Sequence, residues 1–172
     1  MDLFGALVFQ VVGQQLSVQS TRRIVERIQV RCNGQLPLPS QLLSMEPEGL
    51  RSTGLSRRKM ETLRDLAQHF ADGRLNEDHL RRLSDDEVEA QLTQISGIGP
   101  WTVHGALIIA FGREDVVLSG DLALRKVIQH VYGLDHTPVP EEVLAIAAPW
   151  RPYRSLATSY LFASAFEPDS VP

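Results

Sequence analysis

At 172 residues, 43% of them hydrophobic, the chain can fill one compact domain or two small lobes sharing a core, but not several independent domains. Its net charge of −4 argues against a surface given over to phosphate contacts, although basic residues gather at Arg22-Arg23, Arg57-Arg58-Lys59, Arg125-Lys126 and Arg151 with Arg154, each of which also reads as a solvated helix face. One cysteine, Cys32, excludes an intramolecular disulfide and a four-cysteine iron-sulfur cluster, and no apolar run approaches the roughly 18 residues of a membrane span, so a reducing cytoplasmic setting is expected.

Helical periodicity dominates in chain order. Val18, Thr21, Val25 and Ile28 fall on one stripe, and Met60, Leu63, Ala67 and Phe70 on the next. Gly73 suits a C-terminal cap, and Ser84 followed by Glu87 reads as a capping box. Residues 100–111 are apolar nearly all round, which predicts a helix buried in the middle of a bundle. Leu124, Val127, Ile128 and Val131 form a third stripe ending at Gly133, and Pro140 before Glu141 and Glu142 suits a first turn. Strand-type alternation is not sustained anywhere, so the expectation is an all-α unit spanning 1–172 with about eight short helices. The stretches around Pro37 and Pro39 and from Asp135 to Pro140 read as loops, and there is no internal repeat. The five histidines show no paired metal spacing and read as surface or loop residues.

The informative segment is Ile95-Ser96-Gly97-Ile98-Gly99-Pro100, between a helix ending near Thr93 and the apolar helix. With the helices beside it, at about 85–111, it forms a helix-hairpin-helix. Glycine permits positive φ and close backbone approach, and the second helix offers free N–H groups and the positive end of its dipole to an anion. A DNA phosphate could dock there without a basic side chain, which weakens the objection from acidic charge. The same pattern also serves a plain αα-corner whose glycines only close the turn.

Four motifs in order carry a family resemblance: Gly13-Gln14-Gln15-Leu16-Ser17, Gly97-Ile98-Gly99-Pro100-Trp101-Thr102, Gly120-Asp121-Leu122, and Trp150-Arg151-Pro152-Tyr153-Arg154-Ser155. Together they resemble the helix-hairpin-helix (HhH-GPD) DNA glycosylases of the alkylpurine, 3-methyladenine type. The resemblance implies two helical lobes around a cleft, with the β-rich N-terminal domain of some relatives missing and even the leading segment of compact relatives short. It implies Asp121 as the catalytic carboxylate, Trp101 and Phe162 as faces of the base pocket, and Gly97, Gly99 and Thr102 as the phosphate-holding residues. It assigns Gln15 to the gap left by a flipped nucleotide, with Leu16 as the competing wedge. Main-chain carbonyls of Thr93, Ile95 and Gly97 would hold a monovalent cation, Na+ or K+, and no other cofactor is required. The expected partner is damaged double-stranded DNA, met by a monomer with no membrane association.

The chemistry fits those residues. Breaking an N-glycosidic bond passes through an oxocarbenium-like sugar, which a nearby carboxylate stabilises while orienting or deprotonating the attacking water. A cationic alkylated base leaves without a strong general acid and is attracted to aromatic faces. Without the resemblance, Asp121 reads as the N-cap of the helix that follows, a role compatible with catalysis. Trp101 stands where strand-cutting relatives carry a Schiff-base lysine, so no lyase activity is expected. Two departures concern the pocket: Gly105 replaces a tyrosine, and Phe162 a tryptophan, of the best-known bacterial relative. A non-catalytic DNA-binding module, or excision of oxidised or deaminated bases, shares the scaffold.

Overall fold

A computed structural model describes residues 1–166. Among them every regular element is helical, with eleven α-helices and one 3-10 turn where about eight helices were expected. No described helix is long and apolar enough to cross a membrane. The chain divides into two compact units, Met1–Phe111 and Gly112–Pro172.

In the first unit the elements are α1 (Leu3–Gly13), α2 (Val18–Val30), α3 (Pro39–Ser44), α4 (Pro47–Arg51), α5 (Arg57–Ala71), α6 (Glu77–Leu80), α7 (Asp85–Leu92) and α8 (Pro100–Phe111). Three of these, α3, α4 and α6, are one or two turns long, too short for hydrophobic periodicity to reveal. α3 replaces the loop expected around Pro39, because proline at the first helical position surrenders only an N–H that has no partner there. The helix at the centre is α1: Leu3, Ala6, Leu7, Val8, Val11 and Val12 are completely buried, and it packs against α2, α5 and α8. Phe4 of α1 meets Phe70 of α5 edge-to-face at 5.3 Å. By contrast α8, expected to be buried all round, buries Thr102, Val103, Gly105, Ala106 and Leu107 and leaves Ile109 41% exposed. The capping box predicted at Ser84 and Glu87 starts α7, with Ser84 N donating to Glu87 Oε2 at 2.8 Å.

The second unit holds α9 (Leu122–Tyr132), α10 (Pro140–Ala147), a 3-10 turn (Ala148–Trp150) and α11 (Arg154–Phe166). Its core is Val117, Leu124, Ile128, Val143 and Ala147, with Leu118, Leu134, Ile146, Trp150, Leu161 and Phe162 packed around them. Gly133 ends α9 in the left-handed conformation at φ 64°, as expected of a C-terminal glycine. That turn sends Leu134 back onto the core, whereas Val131, placed on the buried stripe from sequence, is exposed.

Candidate functional site

The glycine hairpin joins α7 to α8 in the first unit. Gly97 has φ 89°, and a Cβ there would overlap the Thr62 hydroxyl and stand 3.2 Å from its Cβ and Cγ2. Glycine is required at that position twice over, by backbone conformation and by the close approach of α5. Thr62 uses the same hydroxyl to donate to the Ser96 carbonyl at 2.9 Å, holding the turn from below. Gly99 differs: nothing lies within 4 Å of a Cβ built there, so the space beside it is open. Its carbonyl accepts from the amides of Thr102 and Val103 at 3.0 and 3.1 Å and starts α8.

Thr102, expected among the phosphate-holding residues, lies behind the hairpin. It is 2% exposed, its amide is spent on Gly99, and its hydroxyl accepts from Gln14 Nε2 at 2.9 Å. The same Gln14 nitrogen donates to the Gly97 carbonyl at 2.9 Å. One side chain thus ties the end of α1 to both ends of the glycine turn. Gly13-Gln14-Gln15 was legible as a motif, but this tie was not, since it links residues 83 apart.

Gln15 and Leu16 lie in the turn between α1 and α2, both exposed. Gln15 adopts φ 57°, which side chains with a Cβ rarely take up, so the turn holds it against its preference. The restraint comes from Lys59. Its ammonium donates to the carbonyls of Val12 and Gln14 at 2.7 and 2.8 Å, satisfying oxygens that the end of α1 leaves without an intrahelical partner. Burial pushes the Lys59 ammonium below the ordinary lysine value. Read as part of a solvated triplet with Arg57 and Arg58, Lys59 is instead half-buried and structural, while its two neighbours are exposed.

Of the three carbonyls proposed for a cation, that of Ile95 also accepts from Ile98 N at 3.0 Å and that of Gly97 from Gln14. Neutral oxygens at the C-terminal, negative end of α7, each with a second lone pair, suit a monovalent cation. Trp101 is half-buried in the first turn of α8. His104, read as a surface or loop residue, sits in α8 and contacts Glu89 of α7 at 2.6 Å, bracing the two helices of the hairpin.

In the second unit Asp121 is half-buried and caps α9, its Oδ1 accepting from Leu124 N at 2.8 Å. The capping role read from sequence is therefore present. Phe162 is half-buried and packs against the core of its own unit. The late motif holds residues 113–116, the segment that precedes Asp121 in the chain. Arg154 donates from Nε to Asp115 Oδ1 at 2.6 Å and Arg151 reaches Oδ2 of the same carboxylate at 3.2 Å. That pairing, with Arg154 foremost, holds the Asp115 carboxyl below its ordinary range. Ser155, buried, donates to the carbonyls of Arg113 and Val116 and accepts from Val116 N. Two of the basic residues counted as surface charge are thus committed to holding residues 113–116.

With this geometry in place, comparison with known proteins decides the family. The description "HhH-GPD superfamily base excision DNA repair protein" matches residues 8–152. The chain belongs to that superfamily. It is 33% identical over 161 residues to DNA-3-methyladenine glycosylase 1 of Schizosaccharomyces pombe, covering 92% of this chain and 71% of the yeast protein. It is 28% identical to DNA-3-methyladenine glycosylase of Bacillus subtilis, covering 94% of this chain and 56% of the relative. Among solved structures, the Schizosaccharomyces pombe 3-methyladenine DNA glycosylase in complex with abasic DNA aligns with TM-score 0.91 and 31% identity, over 99% of this chain and 84% of that one. As an HhH-GPD protein the chain has the all-helical fold that the four motifs implied.

Proposed function

We infer that this HhH-GPD protein is a monofunctional DNA glycosylase that hydrolyses the N-glycosidic bond of alkylated purines, 3-methyladenine-like bases foremost, in base excision repair. The observation that carries the reading is its likeness to the fission-yeast 3-methyladenine glycosylase along nearly the whole chain. The duplex surrenders the damaged nucleotide at a cost of a few kcal/mol, smallest for weakly stacked lesions. The amides of Gly97 and Gly99, at the start of α8, hold a backbone phosphate beside the open face of Gly99. The carbonyls of Thr93, Ile95 and Gly97 would hold a monovalent cation that supplies positive charge beside that phosphate. Gln15 or Leu16, exposed at the α1–α2 turn, fills the gap in the stack.

At the sugar, the bond from C1′ to the base nitrogen breaks with its electron pair leaving on the base. A cationic alkylpurine departs neutral, so no acid need protonate it. Asp121 stabilises the positive charge that grows on C1′ and accepts a proton from the water whose oxygen bonds to that carbon. Its hydrogen bond to Leu124 N fixes the carboxylate's direction while this happens. Trp101 and Phe162 supply the aromatic faces for the base, and the absence of a lysine at position 101 leaves the abasic strand uncut.

Incubation with methylated duplex DNA is expected to release free base without strand nicking. Asp121→Asn is expected to abolish release while retaining DNA binding. Salt-dependent DNA binding with no release of any base would instead assign a non-catalytic binding module, and release of only oxidised or deaminated bases would reassign the substrate.

A further inference from the structure

Helix α1 is apolar from Leu3 to Val12 except at Gln10, a residue only 9% exposed. The Gln10 amide makes no hydrogen bond to any described residue, and its atoms are not among those sealed from solvent without a partner. A primary amide withdrawn from most of its water and given no protein partner destabilises the fold unless something else satisfies it. Its neighbour across the α1–α8 contact is Gly105. A Cβ at Gly105 would collide with Nε2 and Cδ of Gln10 and stand 2.9 Å from its Oε1. The glycine therefore makes room for this amide, and α8 gives up a side chain so that α1 can present one.

The placement points to a ligand. Gln14, one turn further along α1, is spent on the glycine hairpin, so Gln10 occupies the next position on the same side of the helix, inward from the phosphate-holding turn. On α8, Trp101 and Gly105 are likewise one turn apart on one side. The amide thus stands over the stretch of α8 that begins with the aromatic face. We propose that Gln10 is a specificity-determining residue whose side-chain amide hydrogen-bonds the edge of the extruded purine, pairing its carbonyl with an exocyclic amine and its N–H with a ring nitrogen. The edge of 3-methyladenine keeps that donor beside that acceptor, the N6 amine beside N7, whereas the corresponding edge of 7-methylguanine presents the O6 acceptor beside a methylated N7 that can accept nothing. The assignment rests on the glycosylase reading above, and it selects adenine-type over guanine-type lesions.

The test measures single-turnover release of 3-methyladenine and 7-methylguanine from methylated duplex DNA. It uses the full chain, the variants Gln10→Met and Gly105→Ala, and affinity for abasic-site DNA as a readout that contains no base. Met keeps the length and bulk of Gln10 without the amide; Ala at 105 displaces the amide while leaving Gln10 in the sequence. Both are expected to lower the ratio of 3-methyladenine to 7-methylguanine release by about tenfold, the scale of one net hydrogen bond to the base, with abasic-site affinity unchanged. If both variants bind abasic DNA as the parent does and keep its release ratio, Gln10 only fills space and the assignment fails while the glycosylase reading stands. If the parent chain releases neither base, the glycosylase reading itself falls, and the assignment with it. A variant that no longer binds abasic DNA is read through the other one, because the two disturb the amide from opposite helices.

Discussion

Gly97→Ala tests how the hairpin is built. The substitution forces an L-residue to φ 89°, which costs about 1–2 kcal/mol. It also drives a methyl into the Thr62 hydroxyl, so Thr62 must rotate away and give up its 2.9 Å bond to the Ser96 carbonyl, a further ~1 kcal/mol. The sum, about 2–3 kcal/mol, corresponds to a fall in melting temperature of roughly 4–12 °C for a chain of this length. Because the Gly97 amide moves with the backbone, affinity for duplex DNA is expected to drop by about tenfold, the value of one charge-assisted hydrogen bond. The two contributions separate in a double-mutant cycle. Thr62→Ala removes the hydroxyl and Cγ2, leaving only a 3.2 Å contact to Cβ, so Gly97→Ala in that background should lose the steric part and keep the conformational part. Thermal denaturation and a DNA titration of the four proteins measure this. A Gly97→Ala protein that melts within about 2 °C of the parent, with unaltered affinity, would refute the account of the turn.

Two further outcomes follow from side chains outside the motif cores. Lys59→Met removes a cation from two carbonyls at the end of α1, and is expected to cost about 1.5–3 kcal/mol and to speed amide exchange in residues 14–17, read by hydrogen-exchange mass spectrometry. Asp115, held below its ordinary pKa of 3.8 chiefly by Arg154, binds a proton more readily in the unfolded chain than in the folded one. Its contribution is therefore complete above that ordinary value and is lost as pH falls through the lower folded-state value. The difference in melting temperature between the parent and Asp115→Asn is expected to be largest near about pH 6 and to shrink below about pH 4. A difference that grows on acidification would contradict the pairing.

What could be read from sequence divides along physical lines. Local signals were legible because they act over three or four residues: the Ser84–Glu87 box, the Gly133 turn and the N-cap geometry of Asp121 all stand as read. The helices that escaped notice, α3, α4 and α6, are too short to show a period. α1 left no stripe because burial all round erases one, and its central place was missed for that reason. Long-range polar ties were invisible. Nothing local distinguishes Lys59 from exposed Arg58, and only packing turns Thr102 inward toward Gln14. One signal was available and overlooked: a lone glutamine inside ten otherwise apolar residues of α1 is costly to bury, and its i, i+4 spacing to Gln14 marks both as facing the same neighbour. Gly105 was noted as a departure from the bacterial relative without the residue that fills its space.

The α1–α2 turn, with Gln15 at φ 57° between a lysine that clasps its flanking carbonyls and a glutamine moored to the hairpin, has a thermodynamic consequence. A tip already immobilised before DNA arrives surrenders little chain entropy on contact, whereas a loose one would forfeit about 1–2 kcal/mol for each residue it ordered. In the wedge role proposed above for Gln15 or Leu16, nearly all the work of opening a duplex at that tip is then set by how firmly the base stacks and pairs. Discrimination between sound and damaged nucleotides can begin in the helix being probed, before any base reaches a pocket.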